Sequence, residues 1–372
     1  MNRGAHGLSV LTVNAGSSSL KLRLLGADDA LLADVELPAD RGHADPVALA
    51  EALERIDAPG AVGHRIVHGG ARFTGPVRLD AGVRDALRAL TALAPLHQPA
   101  ALAALDAVSA ALPGVPAVAC LDTAFHAGLP AGAATYALPL EWRRRHALRR
   151  YGFHGLSHAY ASRRAARLLG RPTSELRLVT CHLGAGASLA AVSAGRSVDT
   201  TMGFTPVDGL VMATRSGSVD PGLLLWLLEH GGHSVRELAD VLEHGAGLQA
   251  LAGTADMREV LARAAEADAA AVLALDVYLH RLRSSIAAMA AAMSGLDAVV
   301  FTGGVGEGAS EIRSGAAQGL GFLGITVDPQ ADRAAVPDAE VSAPEASVRT
   351  LVVRAREDLE MAREVRAVLA AA

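Results

Sequence analysis

The chain has almost no lysine. Of its 34 basic residues, Lys21 alone is not an arginine. Cysteine is nearly as scarce. Cys120 and Cys181 both lie in apolar, strand-like runs, which excludes a disulfide framework and fits two buried thiols in a reducing compartment. Long apolar runs are missing too. The longest, residues 286–293, is alanine-rich and too short to span a bilayer. Residues 10–13 are broken by Asn14 too early for a signal-peptide core, and the expected location is the cytoplasm. There is no excess of positive charge: the net charge is −5, which predicts no broad basic surface for nucleic acid. A hydrophobic fraction of 51% excludes a disordered chain. A length of 372 residues predicts two domains rather than one core.

Two stretches organise what is present. Residues 178–192 read LVTCHLGAGASLAAV: an apolar run, the small turn Gly184-Ala185-Gly186, and a second apolar run. That is a hairpin pattern with glycine where positive φ is expected. Its exposed N–H groups suit an anionic phosphate, and His182 and Ser188 flank it as polar donors. Residues 11–25, LTVNAGSSSLKLRLL, repeat the pattern about half a chain length earlier. Asn14 stands where His182 stands in the second copy, and Lys21 lies on the returning strand. A pattern repeated at half the chain length predicts two similar domains.

The rest alternates between strand and helix, which predicts an α/β architecture. Helices are expected over 46–56, 81–93, 100–112, 221–229, 235–242, 357–369, and over 258–293 with a break near Asp268. Buried strands are expected over 62–67, 115–121, 297–301 and 348–353. Asp122 stands at the end of one of them, where α/β folds gather functional residues. A third glycine-rich stretch, residues 302–308, reads as a loop. Residues 199–220 form a long irregular segment, which is usually functional at that length.

Nine segments in order resemble the acetate and propionate kinase family: VNAGSSSLK (13–21), GHRIVHGG (63–70), LAPLHQP (93–99), LDTAFH (121–126), YGFHGLSH (151–158), CHLGAGAS (181–188), TMGFTPVDGL (201–210), TRSGSVDP (214–221) and FTGGVGEGAS (301–310). The resemblance implies a duplicated actin-like ATPase fold, with two related domains around a nucleotide cleft. The first would hold residues 1–121 plus 358–372. The second would hold 122–357, with the nucleotide loops and a homodimer face that the helices of 258–293 could supply.

It further implies transfer of the ATP γ-phosphoryl group to acetate or propionate, giving an acyl phosphate and ADP, with Mg²⁺ or Mn²⁺. A carboxylate acceptor is already ionised at pH 7, so the site needs cations and positioning rather than a base. Asn14, Arg65, Asp122, His154 and Arg215 match the family's catalytic residues. Arginine suits the task because its fork binds carboxylate or phosphoryl oxygens at two points. Arg65, Val67, Leu96, His97, Phe153 and Pro206 would hold the acyl substrate. Asn14, Asp122 and Glu357 would form the metal shell, directly or through water. Ser17, Ser19 and Lys21 line the first hairpin. His182, Leu183, Gly184, Ala185 and Gly186 line the second. Asp256, Met257 and Arg258 lie near the adenosine, and Gly304, Val305, Gly306, Glu307 and Gly308 in the third nucleotide segment.

Two departures concern the donor. Family members usually carry asparagine at the positions of Ala185 and Gly308, which keeps pyrophosphate open as an alternative donor. A sugar kinase of the same fold would use Asp122 as base. The pairs His64/His68 and His154/His158 have the four-residue spacing of helical zinc ligands, but no HExxH pattern accompanies them. A chaperone-like nucleotide switch would need a peptide-binding domain for which the chain has no room.

Overall fold

The computed structural model describes residues 7–16, 19–40, 43–94 and 98–371. The chain divides into two compact units. The first comprises Met1–Ala127, Phe153–Tyr160 and Arg356–Ala372; the second comprises Gly128–Gly152 and Ala161–Ala355. Residues 122–127, 153–160 and 356–357 thus go with the first unit rather than the second. Backbone hydrogen bonds account for part of this: Asp122 N–H donates to the Ile66 carbonyl and Gly155 N–H to the Asp122 carbonyl.

The first unit is built on strands β1 (Val10–Ala15), β2 (Ser19–Leu25), β3 (Leu31–Asp40), β4 (His43–Ala44), β5 (Ala61–Ile66), β6 (Val77–Arg78) and β7 (Ala117–Leu121). Their order in the sheet is β4-β3-β2-β1-β5-β7-β6. β1, β2 and β3 form an antiparallel meander, β1, β5 and β7 are parallel, and β6 is an antiparallel edge. The second unit has β8 (Arg177–Leu183), β9 (Ala187–Ser193), β10 (Arg196–Thr200), β11 (Ala298–Thr302), β12 (Ala339–Glu340) and β13 (Arg349–Val352), ordered β10-β9-β8-β11-β13-β12. Again a meander of three is followed by two parallel strands and an antiparallel edge. The repeat read from the two hairpins is a repeat of whole sheets. β3 and β10, for which no strand was expected, complete the two meanders.

Side chains alternate across the first sheet. Leu11, Val13 and Val62 face one way, onto Leu49, Leu53 and Val108. Val10, Ala61, Val118 and Cys120 face the other way, onto Met361 and Val365 of the terminal helix Glu357–Ala370. Gly63 allows that helix close: a Cβ there would lie 2.9 Å from Val365 Cγ2. The expected helices are present within a few residues. The break near Asp268 is real, because the Asp268 carboxylate caps the helix Ala269–Ala292 by accepting from Ala271 N–H. Residues 302–308 depart from expectation. They are not an open loop, since Gly303–Gly308 forms a short helix. Both cysteines are buried free thiols. Among the described residues no helix is long and apolar enough to cross a membrane.

The face of β5 opposite Arg65 carries His64, which is 1% exposed with no partner for either ring nitrogen. Burial, with Arg84 adding to it, holds His64 near pKa 3; burial alone lowers His68 to about 4, and it lowers His126 to about 4 against a hydrogen bond that the Phe153 carbonyl accepts from the ring. These folded values lie below the unfolded value of 6.5, so their stabilisation is complete above pH 6.5 and is lost as pH falls toward 4 and 3. His64 alone should remove about 2 kcal/mol between pH 6.5 and 5. Urea unfolding at pH 7, 6 and 5 should show a falling midpoint with a shallower fall in H64L. Equal midpoints at pH 7 and 5 would contradict the burial of neutral imidazoles.

Candidate active site

The parallel strands end with polar side chains on the face covered by the terminal helix. Asn14 is the penultimate residue of β1 and Arg65 of β5, and Asp122 directly follows β7. The register sets Val13 beside His64 and Arg65 beside Cys120, so the three side chains arrive at one level. Glu357 joins them as the first residue of the terminal helix, where a carboxylate is favoured by the helix dipole. Arg65 Nε donates to both Asp122 oxygens at 3.1 Å and Nη2 donates to Oδ2 at 2.7 Å. Nη1 donates to Asn14 Oδ1 at 3.0 Å and lies 3.5 Å from Glu357. Asn14 Nδ2 donates to Glu357 Oε2 at 3.0 Å. Burial opposes the Arg65 charge, but Asp122 and Glu357 outweigh it and raise its pKa above the ordinary guanidinium value. Burial raises the Asp122 carboxyl and Arg65 draws it back down, with Glu357 adding to the rise.

His154 has φ at +56°. Gly155 follows it and donates its N–H to the Asp122 carbonyl at 2.9 Å. Phe153 is buried with its ring 5.5 Å from that of His68, and its carbonyl meets His126 Nε2 at 3.0 Å. His68 is held by the turn that follows it, Nδ1 accepting from Gly70 N–H at 2.8 Å. The His64/His68 pair lies on or just past a strand rather than on a helix, so its four-residue spacing brings no zinc geometry. Val67 follows β5 directly. Lys21 is half exposed and pairs with Glu36 across the strand at 3.7 Å. Ser19 opens β2, and its carbonyl accepts from Gly16 N–H. Ser17, Leu96 and His97 lie outside the described residues.

In the second unit, the segments that follow two of the parallel strands line a cavity of about 970 Å³. Gly184 and Ala185 come from the β8 end, and Gly304, Val305 and Gly308 from the β11 end; Asp256, Met257, Arg258, Leu261 and Tyr278 form other walls. The volume is in the range of sites that enclose a small organic ligand. His182 and Leu183 end β8, while Gly186, Gly306 and Glu307 are not among the lining residues. Gly184 and Gly186 are not in the left-handed region, contrary to expectation. The turn closes by a Gly184 N–H bond to the Gly186 carbonyl at 3.0 Å. Gly303 does need its freedom, with φ at +81° and a virtual Cβ 2.7 Å from the Leu183 carbonyl oxygen. Nothing lies within 4 Å of a Cβ at Gly308. G303A should therefore lose about 2 kcal/mol or more, and G308A should stay within about 0.5 kcal/mol. Thermal melts of the two variants decide it; equal melting points would refute the packing argument.

Arg215 lies in the irregular segment of the second unit. Its Nη1 is 3.5 Å from the Pro206 carbonyl, so the structure does bring these two expected residues together. Burial lowers its pKa, partly offset by Glu243. Asp256 caps the helix Met257–Ala265 through Arg258 N–H and pairs with the Arg258 side chain at 2.6 Å on the exposed rim. Sequence reasoning missed Arg313 and Asp332. Both are buried, paired at 2.5 Å, and Arg313 Nη1 donates to the Gly306 and Glu307 carbonyls at 2.9 Å. They brace the segment that lines the cavity. An arginine in an alanine- and glycine-rich helix was the one available signal.

A meander of three strands continued by parallel strands, built twice, is the actin-like ATPase-type fold. Residues 45–363 match the acetokinase family. An acetate kinase of Gloeobacter violaceus is 49% identical over 305 residues, covering 82% of this chain and 75% of that protein. The structure of Porphyromonas gingivalis acetate kinase matches with a TM-score of 0.88 at 34% identity, covering 97% of this chain and 100% of that one. A propionate kinase from Francisella tularensis matches equally well, with the same TM-score, identity and coverage. The chain belongs to the acetokinase family.

Proposed function

We propose that this protein transfers the γ-phosphoryl group of ATP to the carboxylate of acetate, reversibly and by direct in-line displacement, with propionate as a second acceptor. The observation that carries the reading is Arg65, fixed at a strand end with its guanidinium held charged by buried carboxylates. Transfer between two anions requires such a cation more than it requires a base. Asp122 gives both oxygens to Arg65, which suits orientation of the guanidinium and argues against a sugar-kinase base. The cavity of about 970 Å³ fits a nucleotide better than pyrophosphate. In the first unit Arg65 neutralises phosphoryl and carboxylate oxygens and His154 donates a hydrogen bond to the group in transfer; in the second unit Arg215 offers a guanidinium of the same chemistry.

A divalent cation fits the donor set. Two carboxylates surround one guanidinium, leaving a negative charge over. Among the described residues no cluster of three or more His, Cys, Asp or Glu forms a protein cage. Mg²⁺ prefers this kind of arrangement, keeping waters and taking one or two carboxylates plus substrate phosphates. Asn14, Asp122 and Glu357 would hold it, and when bound it supplies charge neutralisation at phosphate oxygens. The buried thiols support a cytoplasmic location.

Homodimerisation through the second unit completes the reading. The helix Ala269–Ala292 turns Leu279, Leu282 and Ile286 inward and exposes Val272 and Leu273. The helix Pro221–Glu229 exposes Leu223, Leu225 and Trp226, a stripe suited to a second copy. W226E should halve the mass seen by light scattering. The activity is tested by trapping acyl phosphate as hydroxamate from acetate or propionate with Mg²⁺ and either ATP or pyrophosphate. Product with ATP is expected; product with pyrophosphate alone would overturn the donor.

A further inference from the structure

Gly304, Val305 and Gly308 line the nucleotide-sized cavity, and Glu307 does not. A carboxylate facing a triphosphate would repel it. The Glu307 Oε1 atom instead accepts two backbone N–H groups, Gly303 at 3.1 Å and Ala355 at 2.8 Å. Such charge-assisted bonds are among the stronger ones a protein makes.

The two amides belong to consequential places. Gly303 is the left-handed residue pressed against the Leu183 carbonyl, one residue before Gly184 of the cavity wall. Ala355 is the last residue of the second unit, and Arg356 and Glu357 follow it directly. The Glu357 carboxylate then meets Asn14 and Arg65. Upstream of Ala355 the backbone is held by Val353 N–H on the Phe301 carbonyl and Arg354 N–H on Asp338. Arg313 fixes the Glu307 carbonyl from the other side, so its side chain starts from a pinned backbone.

We propose that Glu307 is a positioning residue, whose one carboxylate oxygen sets the cavity-lining helix Gly303–Gly308 and the backbone that delivers Glu357 in a single arrangement. The inference rests on the phosphotransfer reading above. A nucleotide that moves Gly303 then moves Ala355 with it, because both amides are held by the same carboxylate oxygen.

Steady-state kinetics of E307A and E307Q test this. E307A should lose at least about tenfold in kcat while KM for ATP changes by less than about threefold, and it should need more Mg²⁺ for half-maximal rate. The amide oxygen of E307Q can accept the same two N–H groups, so that variant should keep at least about half of kcat. E307Q failing as badly as E307A would show that the charge itself is used, and E307A with wild-type kinetics would show no positioning role; either overturns the proposal. A wild-type protein that makes no acyl phosphate would sink the reaction, not the brace. Amide exchange of the wild type reads the brace directly, also if E307A fails to fold. ADP should slow exchange at Gly303 and Ala355 together, and slowing at Gly303 alone would overturn the coupling.

Discussion

Replacing Arg65 by alanine should lower kcat/KM by about 10³-fold or more and destabilise the fold by about 3–5 kcal/mol. The activity loss follows from removing the guanidinium held at the carboxyl ends of the first unit's parallel strands. The stability loss has a separate origin. The Asp122 side chain is 2% exposed and Arg65 is its ion-pair partner, with the guanidinium also bound to Asn14 and close to Glu357. Without Arg65 a buried carboxylate is left uncompensated, which is the expensive half of a broken buried pair. Lysine should recover little, because an ammonium cannot reproduce Nε and Nη2 on Asp122 together with Nη1 on Asn14. A double variant, Arg65→Met with Asp122→Leu, separates the two effects. It should regain most of the stability, since both charges leave together, and none of the activity. Urea unfolding and acyl-phosphate kinetics on the three variants check this. A stable, active R65A would refute the assignment outright.

Replacing Gly155 by alanine should be almost as damaging, although only a methyl group is added. A Cβ at that position would lie 2.2 Å from the Asp122 carbonyl oxygen and 3.0 Å from Phe125 Cβ. Neither obstacle is the flexible end of a side chain. The backbone of residues 154–156 would have to withdraw from Asp122, breaking the Gly155 N–H bond of 2.9 Å and moving His154 with it. A loss of about 3 kcal/mol or more, with activity reduced by about 10²-fold because a displacement of 1 Å suffices for that, is expected. Wild-type melting and kinetics in G155A would show that His154 is not placed by this contact.

The fold was legible in the sequence where periodicity and turns speak locally. The two glycine hairpins announced the duplication, and the buried runs around Val118 and Val300 announced buried strands. β3 stayed hidden because it alternates exposed and half-buried residues and contains Pro38. The helix Gly303–Gly308 stayed hidden because four of its six residues are glycine, whose helix propensity is poor; Arg313 and Glu307 hold it by tertiary bonds that no local pattern encodes. Of the site, Asn14, Arg65 and Asp122 were picked from separate motifs and Glu357 from the start of the terminal helix, and the four are found in one hydrogen-bonded group. Their convergence needed the parallel register and the terminal helix, neither of which a motif contains. The Arg313–Asp332 brace spans 19 positions with no repeating signature.

The central claim is transfer from ATP to a carboxylate, and the most direct measurement is the phosphorus NMR spectrum of one reaction containing the protein, Mg²⁺, ATP, acetate and glucose. The account predicts ADP and an acyl phosphate resonance appearing together, with no sugar phosphate. A sugar phosphate in place of acyl phosphate, or ATP left unchanged by folded protein, would contradict it.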